Sequence, residues 1–220
     1  MLFRSMALGL SNASGGNFLP IIKYDARAGR IFRVDREDGV STPHDITRNF
    51  KAVFDFEHIE VGYINFDTGS APDFVMVKHG EPLPARPSDK HRQGFRMTIK
   101  LSAECGGDAR EFSATSQACL SGVDTLQDDY LANRAANPGK LPVVVLEDTV
   151  GIESGQGTKK STNYRPLLKI VGWVARPKDL QPRGEPAPAA APAKPPATGS
   201  TRAAPPSKAA PVMAEEEDFG

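Results

Sequence analysis

The segment FRMTIKL at residues 95–101 alternates apolar with polar side chains at every position. A period of two is typical of a β-strand that buries one face and exposes the other. The four apolar residues from Phe95 to Leu101 form the predicted core face, whereas Arg96 and Lys100 lie on the opposite face. The segment therefore predicts a half-buried strand with a cationic outer side.

Similar strand signals recur between residues 18 and 175. β-Branched and aromatic residues gather in short runs that Gly, Pro, Asn and Asp separate. The predicted strands are 18–24, 29–35, 50–66, 73–78, 94–102, 141–147 and 165–175. Within 50–66 the apolar residues change parity after Phe56, which predicts a bulge near Glu57 or His58. A long strand with such a bend suits a small barrel that must turn a corner.

One segment, 115–136, carries apolar residues at helical spacing and ends at Asn137-Pro138-Gly139, which predicts a single helix. The order of strands, helix, strand, Gly-rich loop and strand resembles the OB-fold, a five-stranded Greek-key barrel whose helix lies between strands 3 and 4. We therefore expect a mainly β, OB-fold-like domain. The resemblance also implies oligonucleotide binding on the second and third strands and on the adjoining loops.

The overall composition conceals a sharp change near residue 184. The 220 residues carry 27 basic and 27 acidic side chains, so the net charge is zero. Residues 184–220 include 11 Ala and 8 Pro, and no Leu, Ile or Val before Val212, so they cannot bury a core. We expect a flexible N-terminal arm at 1–16, the OB-fold-like domain at 17–180, a Pro/Ala-rich disordered linker at 181–211 and an acidic tail at 212–220.

Catalytic and metal-binding classes find no support in the sequence. Cys105 and Cys119 are the only cysteines, and the four histidines are scattered singly, so metal-ligand spacing is absent. The loop GQGTKKST at 155–162 resembles a phosphate-binding loop but does not satisfy GxxxxGK[ST]. The expectation is a protein with no enzymatic activity, no cofactor and no metal.

Membrane and secreted classes are also disfavoured. No apolar run has the length of a signal-peptide core or of a bilayer span. A protein with two unpaired cysteines and no such segment is expected in the reducing cytoplasm, without membrane attachment.

Cations are concentrated in three stretches, at 23–36, 78–100 and 159–178. Lys and Arg hold phosphates and aromatic rings stack on bases, so this combination is typical of a groove for single-stranded nucleic acid. We expect the three stretches to line one groove. The predicted DNA-binding residues are Arg30, Phe32, Arg33, Arg92, Arg96, Lys100, Lys159, Lys160, Tyr164, Arg165, Lys169 and Trp173. The alternatives are a solvated strand face for each cation and a core position for Trp173.

The chain ends in AEEEDFG at 214–220. A strand-rich domain, a Pro/Ala linker and an acidic tip with a near-terminal Phe resemble bacterial and phage single-stranded DNA-binding proteins. The resemblance implies that the tip recruits replication or recombination proteins and competes with DNA for the groove. The tail residues concerned are Glu215, Glu216, Glu217, Asp218 and Phe219. Because Gly220 follows Phe219, the phage type is the closer likeness.

The sequence thus predicts a protein that coats single-stranded DNA without strong sequence preference during phage DNA replication or recombination. The host cytoplasm would be its location, and exposed strand edges would allow homo-oligomers. The alternative is a non-catalytic structural or assembly protein of a phage particle, with a β-domain and a spacer tail. Salt-reversible binding of oligo-dT distinguishes these two functions.

Overall fold

The computed structural model describes residues 19–69, 71–154 and 160–181, with the backbone alone at Ser154. The described residues form ten strands, one α-helix and four short 3₁₀ turns. The strands are β1 (Ile21–Asp25), β2 (Arg30–Glu37), β3 (Val40–Asp45), β4 (Lys51–Phe54), β5 (Glu60–Asn65), β6 (Asp73–Lys78), β7 (Arg92–Leu101), β8 (Ala109–Ala114), β9 (Lys140–Ser154) and β10 (Ser161–Ala175). The helix α1 is Gln117–Asn133. The predicted arm, the acidic tail and all but the first residue of the linker lie outside the described residues.

The mainly β class is confirmed, but the number of strands is not. All ten strands belong to one sheet, whereas the predicted OB-fold has five, and the helix lies between the eighth and ninth strands. The order is β10-β9-β4-β7-β8-β1-β2-β3, with β5 beside β7 and β6 beside β5. Neighbours are antiparallel except for β1 and β8. The sheet is not closed by a strand ladder, although the Tyr164 N–H in β10 donates to the Ala26 carbonyl after β1 at 2.7 Å.

The predicted strand 50–66 is two strands separated by the 3₁₀ turn Phe56–His58. β4 pairs with the end of β7 at Ile99–Leu101, and β5 pairs with the beginning of β7 at Arg92–Arg96. The interruption therefore lies where the change of parity predicted a bulge. The interruption is a short 3₁₀ turn and not a bulge, because β4 and β5 are separate strands that pair with the same edge of β7.

Two strands, β3 and β8, were absent from the prediction. β3 reads VSTPHD, which lacks apolar alternation and contains Pro43, a residue that disfavours a strand. All six of its residues are exposed. Its hairpin turn was nevertheless encoded, since Asp38 and Gly39 adopt φ of 49° and 82°, the left-handed geometry that Asp-Gly favours. β8 reads AREFSA, in which charged residues interrupt the apolar pattern.

The core lies between α1 and the inner face of the sheet. The helix buries six residues against it, and the N–H of Cys119 donates to the Ser116 Oγ at the helix start. Phe54 is fully buried. Cys119 is also buried, and burial raises the pKa of its thiol to about 12. None of the helices in the described part of the chain has the length and apolar character needed to cross a membrane.

Helix α1 lies close against β10 at Gly122. A Cβ atom there would lie 2.6 Å from the Pro166 carbonyl oxygen and 2.7 Å from its Cγ. We expect Gly122→Ala to lower the free energy of unfolding by about 1–3 kcal/mol, because the helix must move away from β10. Alanine is the better helix former by about 1 kcal/mol, so a stabilised variant would show that the contact is loose. Urea denaturation measures the change, with the exposed Asp124→Ala as control.

Candidate nucleic-acid interface

The side of the sheet opposite the core, here called the outer face, carries a row of polar and aromatic residues across six strands. Cross-strand partners point to the same side of a sheet, so pairing defines the row. The partners are Lys78 with Glu60, Glu60 with Arg96, Arg96 with Ser113, and Lys23 with Phe32. The register of β1 on β8 brings Lys23 beside Ser113. At about 4.8 Å per strand, the row spans about 24 Å.

Two of the three predicted cationic stretches meet on the outer face. Phe32 lies on this face because it is the cross-strand partner of Lys23, and Arg30, two residues before it in β2, lies on the same side. Arg92 and Arg96 reach it from β7, and Arg92 is exposed. These four are the predicted DNA-binding residues that one surface brings together.

An aromatic cluster that the sequence did not predict as a binding feature lies at one end of the outer face. The Arg96 guanidinium carbon lies 4.3 Å from the centre of the Phe74 ring, a cation–π contact. Phe66 meets the edge of Phe74 at 6.4 Å and is 45% exposed. Phe74 and Arg92 both lie opposite Ile64 in neighbouring strands. The sequence alone does not show this cluster, because Phe66 and Phe74 come together only when β5 pairs with β6.

Arg96 stands between two carboxylates. Its Nε lies 3.6 Å from a Glu60 oxygen and 3.4 Å from a Glu111 oxygen, and all three side chains are mostly buried. The Nε is buried and has no hydrogen-bond partner, so its contacts with the two carboxylates are ion pairs without a hydrogen bond. Burial raises the pKa of Glu60 and of Glu111 above the ordinary value, and the charge of Arg96 only partly opposes it. One cation therefore serves two acids at this site.

Lys100 and Arg33 do not fit the predicted phosphate contacts. Lys100 lies on the outer face, but its side chain is 5% exposed and its Nζ pairs with Asp179 at 2.5 Å. The segment that carries Asp179 is held down by Leu180, which is buried against Val53. Arg33 pairs with Asp35 at 2.9 Å. Both charges are thus neutralised within the fold by partners that the sequence did not indicate.

The third cationic stretch lies on the β9–β10 hairpin, next to the β1–β2 turn. The Tyr24 hydroxyl donates to the Tyr164 carbonyl at 2.8 Å, and a Cβ on Gly29 would lie 3.1 Å from the Cβ of Tyr164. Since Arg30 follows Gly29, Tyr164 is held close to the beginning of β2.

The cations of this hairpin differ in their surroundings. Lys160 and Lys169 are exposed and pair with Glu153 and Glu147, and such surface pairs are weak. The Nε of Arg165 is buried and has no hydrogen-bond partner. Lys159 lies outside the described residues. The hairpin therefore does not extend the row of cations, and Tyr164 shares the parity of Pro166 and Leu168, which face the helix and the core.

Trp173 is half-buried and packs against the core, so its predicted role as an exposed base-stacking ring is wrong. Its indole stacks on Tyr130 of α1, with ring centres 5.8 Å apart and planes 26° apart. The pairing of β10 with β9 skips Val171, because Ile170 lies opposite Val144 and Gly172 opposite Val143. This bulge reverses the parity of every later residue, so Trp173 faces inward although strict alternation put it with Lys169.

A cleft of about 600 Å³ borders the outer face beside Arg30. It lies between the β1–β2 turn and the segment Asp45–Asn49, and Arg48 lines it. Arg30 pairs with Asp45 at 2.9 Å across its mouth. The hydrogen bonds from Thr47 hold the pKa of Asp45 below its usual range. The cleft thus presents both charges rather than a purely cationic surface.

Two clusters of chemically active residue types serve the fold. His91 is buried, with Nε2 3.1 Å from an Asp73 oxygen and Nδ1 2.8 Å from the Ser88 Oγ, and it fastens the loop before β7 to β6. A group of Asp55, Glu57 and His58 has the spacing of a metal site. The guanidinium of Arg176 already contacts both of its carboxylates.

No known protein family, curated protein or solved structure matches the chain.

Proposed function

We propose that this protein binds single-stranded DNA, without strong sequence preference, along the outer face of its sheet. The observation that supports this function is the meeting of two separate cationic stretches with three phenylalanine rings on one face. Phe32 lies at one side of the row, and Phe66 and Phe74 lie at the other.

The chemistry of the face suits a flexible strand of DNA. Lys23, Arg30 and Arg92 are exposed cations within the row or beside it, and they would contact phosphates. Each phosphate neutralised contributes about 0.7 to the salt dependence of single-strand binding, so these three would give a slope of about 2. Rings stack on any base, so binding of this kind tolerates sequence changes.

The strand order also supports a more specific proposal for the fold. We propose that β4 with β5, β7, β8, β9 and β10 correspond to the five strands of an OB-fold. In that scheme α1 lies between the third and fourth strands, and β9 pairs with β4, which joins the fourth strand to the first. The outer face of β7 and β8 would then be the surface on which OB-folds bind oligonucleotides.

A role in phage DNA replication or recombination is part of the same proposal. It rests on the linker and the acidic tip, which would recruit partner proteins, and it implies the host cytoplasm. The tail residues 215–219 would compete with DNA for cations of the outer face, as the resemblance implies.

The direct test is fluorescence anisotropy of labelled oligo-dT, because Trp173 lies in the core and is a poor reporter of the surface. We expect Phe66→Ala to weaken binding by about 1–3 kcal/mol, roughly 5-fold to 150-fold, through loss of one stacking ring. The matched control is Leu131→Ala, since Leu131 is also 45% exposed but lies on α1. We expect the control to bind like the unchanged protein.

Two results would contradict the proposal. The first is unchanged anisotropy at micromolar protein in about 50 mM salt, where contacts with phosphates are strong. The second is equal binding by Phe66→Ala and by the unchanged protein, which would move the interface off the outer face. The first result would favour the structural or assembly function.

A further inference from the structure

The arrangement around Arg96 has a consequence for how DNA binding depends on pH. The guanidinium is shared by Glu60 and Glu111, which approach it from opposite sides on β5 and β8. When both acids are ionised, these three groups together carry one negative charge. A phosphate that approaches Arg96 therefore meets a site whose net charge repels it.

We propose that DNA binding at Arg96 is coupled to the uptake of one proton by the Glu60–Glu111 pair, so that the protein binds DNA more tightly as the pH falls. This inference rests on the proposed function and describes the regulation of the same surface. Protonation of one carboxyl leaves Arg96 paired with the other, and the local charge becomes neutral. The phosphate then no longer faces an excess of carboxylates.

Every element around the site contributes to its charge. Lys78 on β6 lies opposite Glu60. The Ser113 hydroxyl on β8 lies 3.5 Å from a Glu111 oxygen. Lys23 on β1 lies beside Ser113 in the register, and the Phe74 ring covers one face of the Arg96 guanidinium. Solvent screens the exposed lysines more than the mostly buried carboxylates, so the two acids weigh more in the charge around Arg96.

The direction of the effect follows from the charges. Burial already brings the pKa of both glutamates above the ordinary value of about 4.3. A bound phosphate adds a negative charge nearby, which raises their pKa further. Between the pKa of the free protein and that of the complex, binding takes up a proton, and the affinity falls as the pH rises through this window. One proton limits the change to about tenfold per pH unit.

The experiment compares oligo-dT binding between pH 5 and pH 8, at fixed salt, for the unchanged protein, Glu111→Gln and Glu37→Gln. Glu37 is an exposed acid at the end of β2 and serves as the control for loss of a charge. We expect the unchanged protein and Glu37→Gln to lose affinity by about threefold to tenfold between pH 6 and pH 8. We expect Glu111→Gln to bind more tightly than the unchanged protein at pH 8 and to vary less with pH. Calorimetry in two buffers of different ionisation enthalpy should show proton uptake that Glu111→Gln reduces.

The pH dependence of the unchanged protein is not sufficient by itself, so the comparison with Glu111→Gln decides. Equal pH dependence of Glu111→Gln and the unchanged protein, with equal proton uptake, would overturn the inference while leaving the proposed function intact. If neither the unchanged protein nor Glu111→Gln binds oligo-dT tightly at any pH, the proposed function itself is overturned. If Glu111→Gln fails to fold, Glu60→Gln removes the other carboxylate of the pair and is expected to behave in the same way.

Discussion

An Arg176→Met variant is expected to lose about 3–5 kcal/mol of its free energy of unfolding. The two terminal nitrogens of Arg176 donate to the two oxygens of Asp55 at 2.7 and 2.9 Å. Asp55 is 1% exposed and lies at the break between β4 and β5. Methionine preserves much of the apolar stem but leaves a buried carboxylate without its main partner, and such a charge is costly.

Guanidinium chloride denaturation of Arg176→Met and Arg36→Met measures this effect. Arg36 is an exposed arginine in β2, so its replacement should change the free energy of unfolding by about 0.5 kcal/mol or less. Arg176→Lys should lie between the two, because lysine keeps the charge but cannot bind both carboxylate oxygens in one plane. If Arg176→Met and Arg36→Met unfold at the same denaturant concentration, the ion pair with Asp55 contributes nothing to stability.

The same ion pair shows which charges can be predicted from a sequence. Arg176 and Asp55 are 121 residues apart, and Lys100 and Asp179 are 79 residues apart. Local composition identified the cationic stretches but gave no information about such distant partners. Whether a given arginine binds a phosphate or a carboxylate of its own chain depends on strand order, which the pattern alone does not determine.

Side-chain direction within one strand was predictable where the strand is regular. Phe95 and Met97 are buried, and Arg96 lies on the opposite side, as the alternation in 95–101 requires. Regular alternation does not give the direction of Trp173, because one bulged residue at Val171 reverses the parity. A bulge leaves little trace in the local sequence, so alternation no longer predicts to which side of the sheet the residues after it point.

Parts of the candidate interface depend on pairing between segments. Phe66 and Phe74 come together only because β5 and β6 form a hairpin, and Phe32 joins Arg96 only because β1 stands beside β8. The parallel pairing of β1 with β8 involves a sequence separation of about 90 residues. The individual cations and rings were visible in the sequence, whereas the face they share was not.

Phe54→Ala is expected to destabilise the protein by about 3–5 kcal/mol. The Phe54 ring is fully buried, and its centre lies 6.2 Å from that of Phe50, 5.8 Å from Phe56 and 6.1 Å from Phe112. Alanine removes the ring from the centre of this cluster and leaves a cavity that the three neighbours cannot fill without moving. Thermal and urea denaturation give the loss, and the exposed Phe66→Ala should be destabilised far less.

The two phenylalanine variants should separate stability from binding. Phe54 belongs to the core, so Phe54→Ala should still bind oligo-dT with nearly unchanged affinity under conditions in which it remains folded. Phe66 lies on the outer face, so Phe66→Ala should keep its stability and lose affinity. Phe56 stacks on Tyr130 at 5.1 Å, and Tyr130 stacks on Trp173, so the fluorescence of Trp173 should report the cavity at Phe54 and not the change at Phe66. Loss of DNA affinity in folded Phe54→Ala would mean that the core and the outer face are energetically coupled, against the separation of roles argued for the two sides of the sheet.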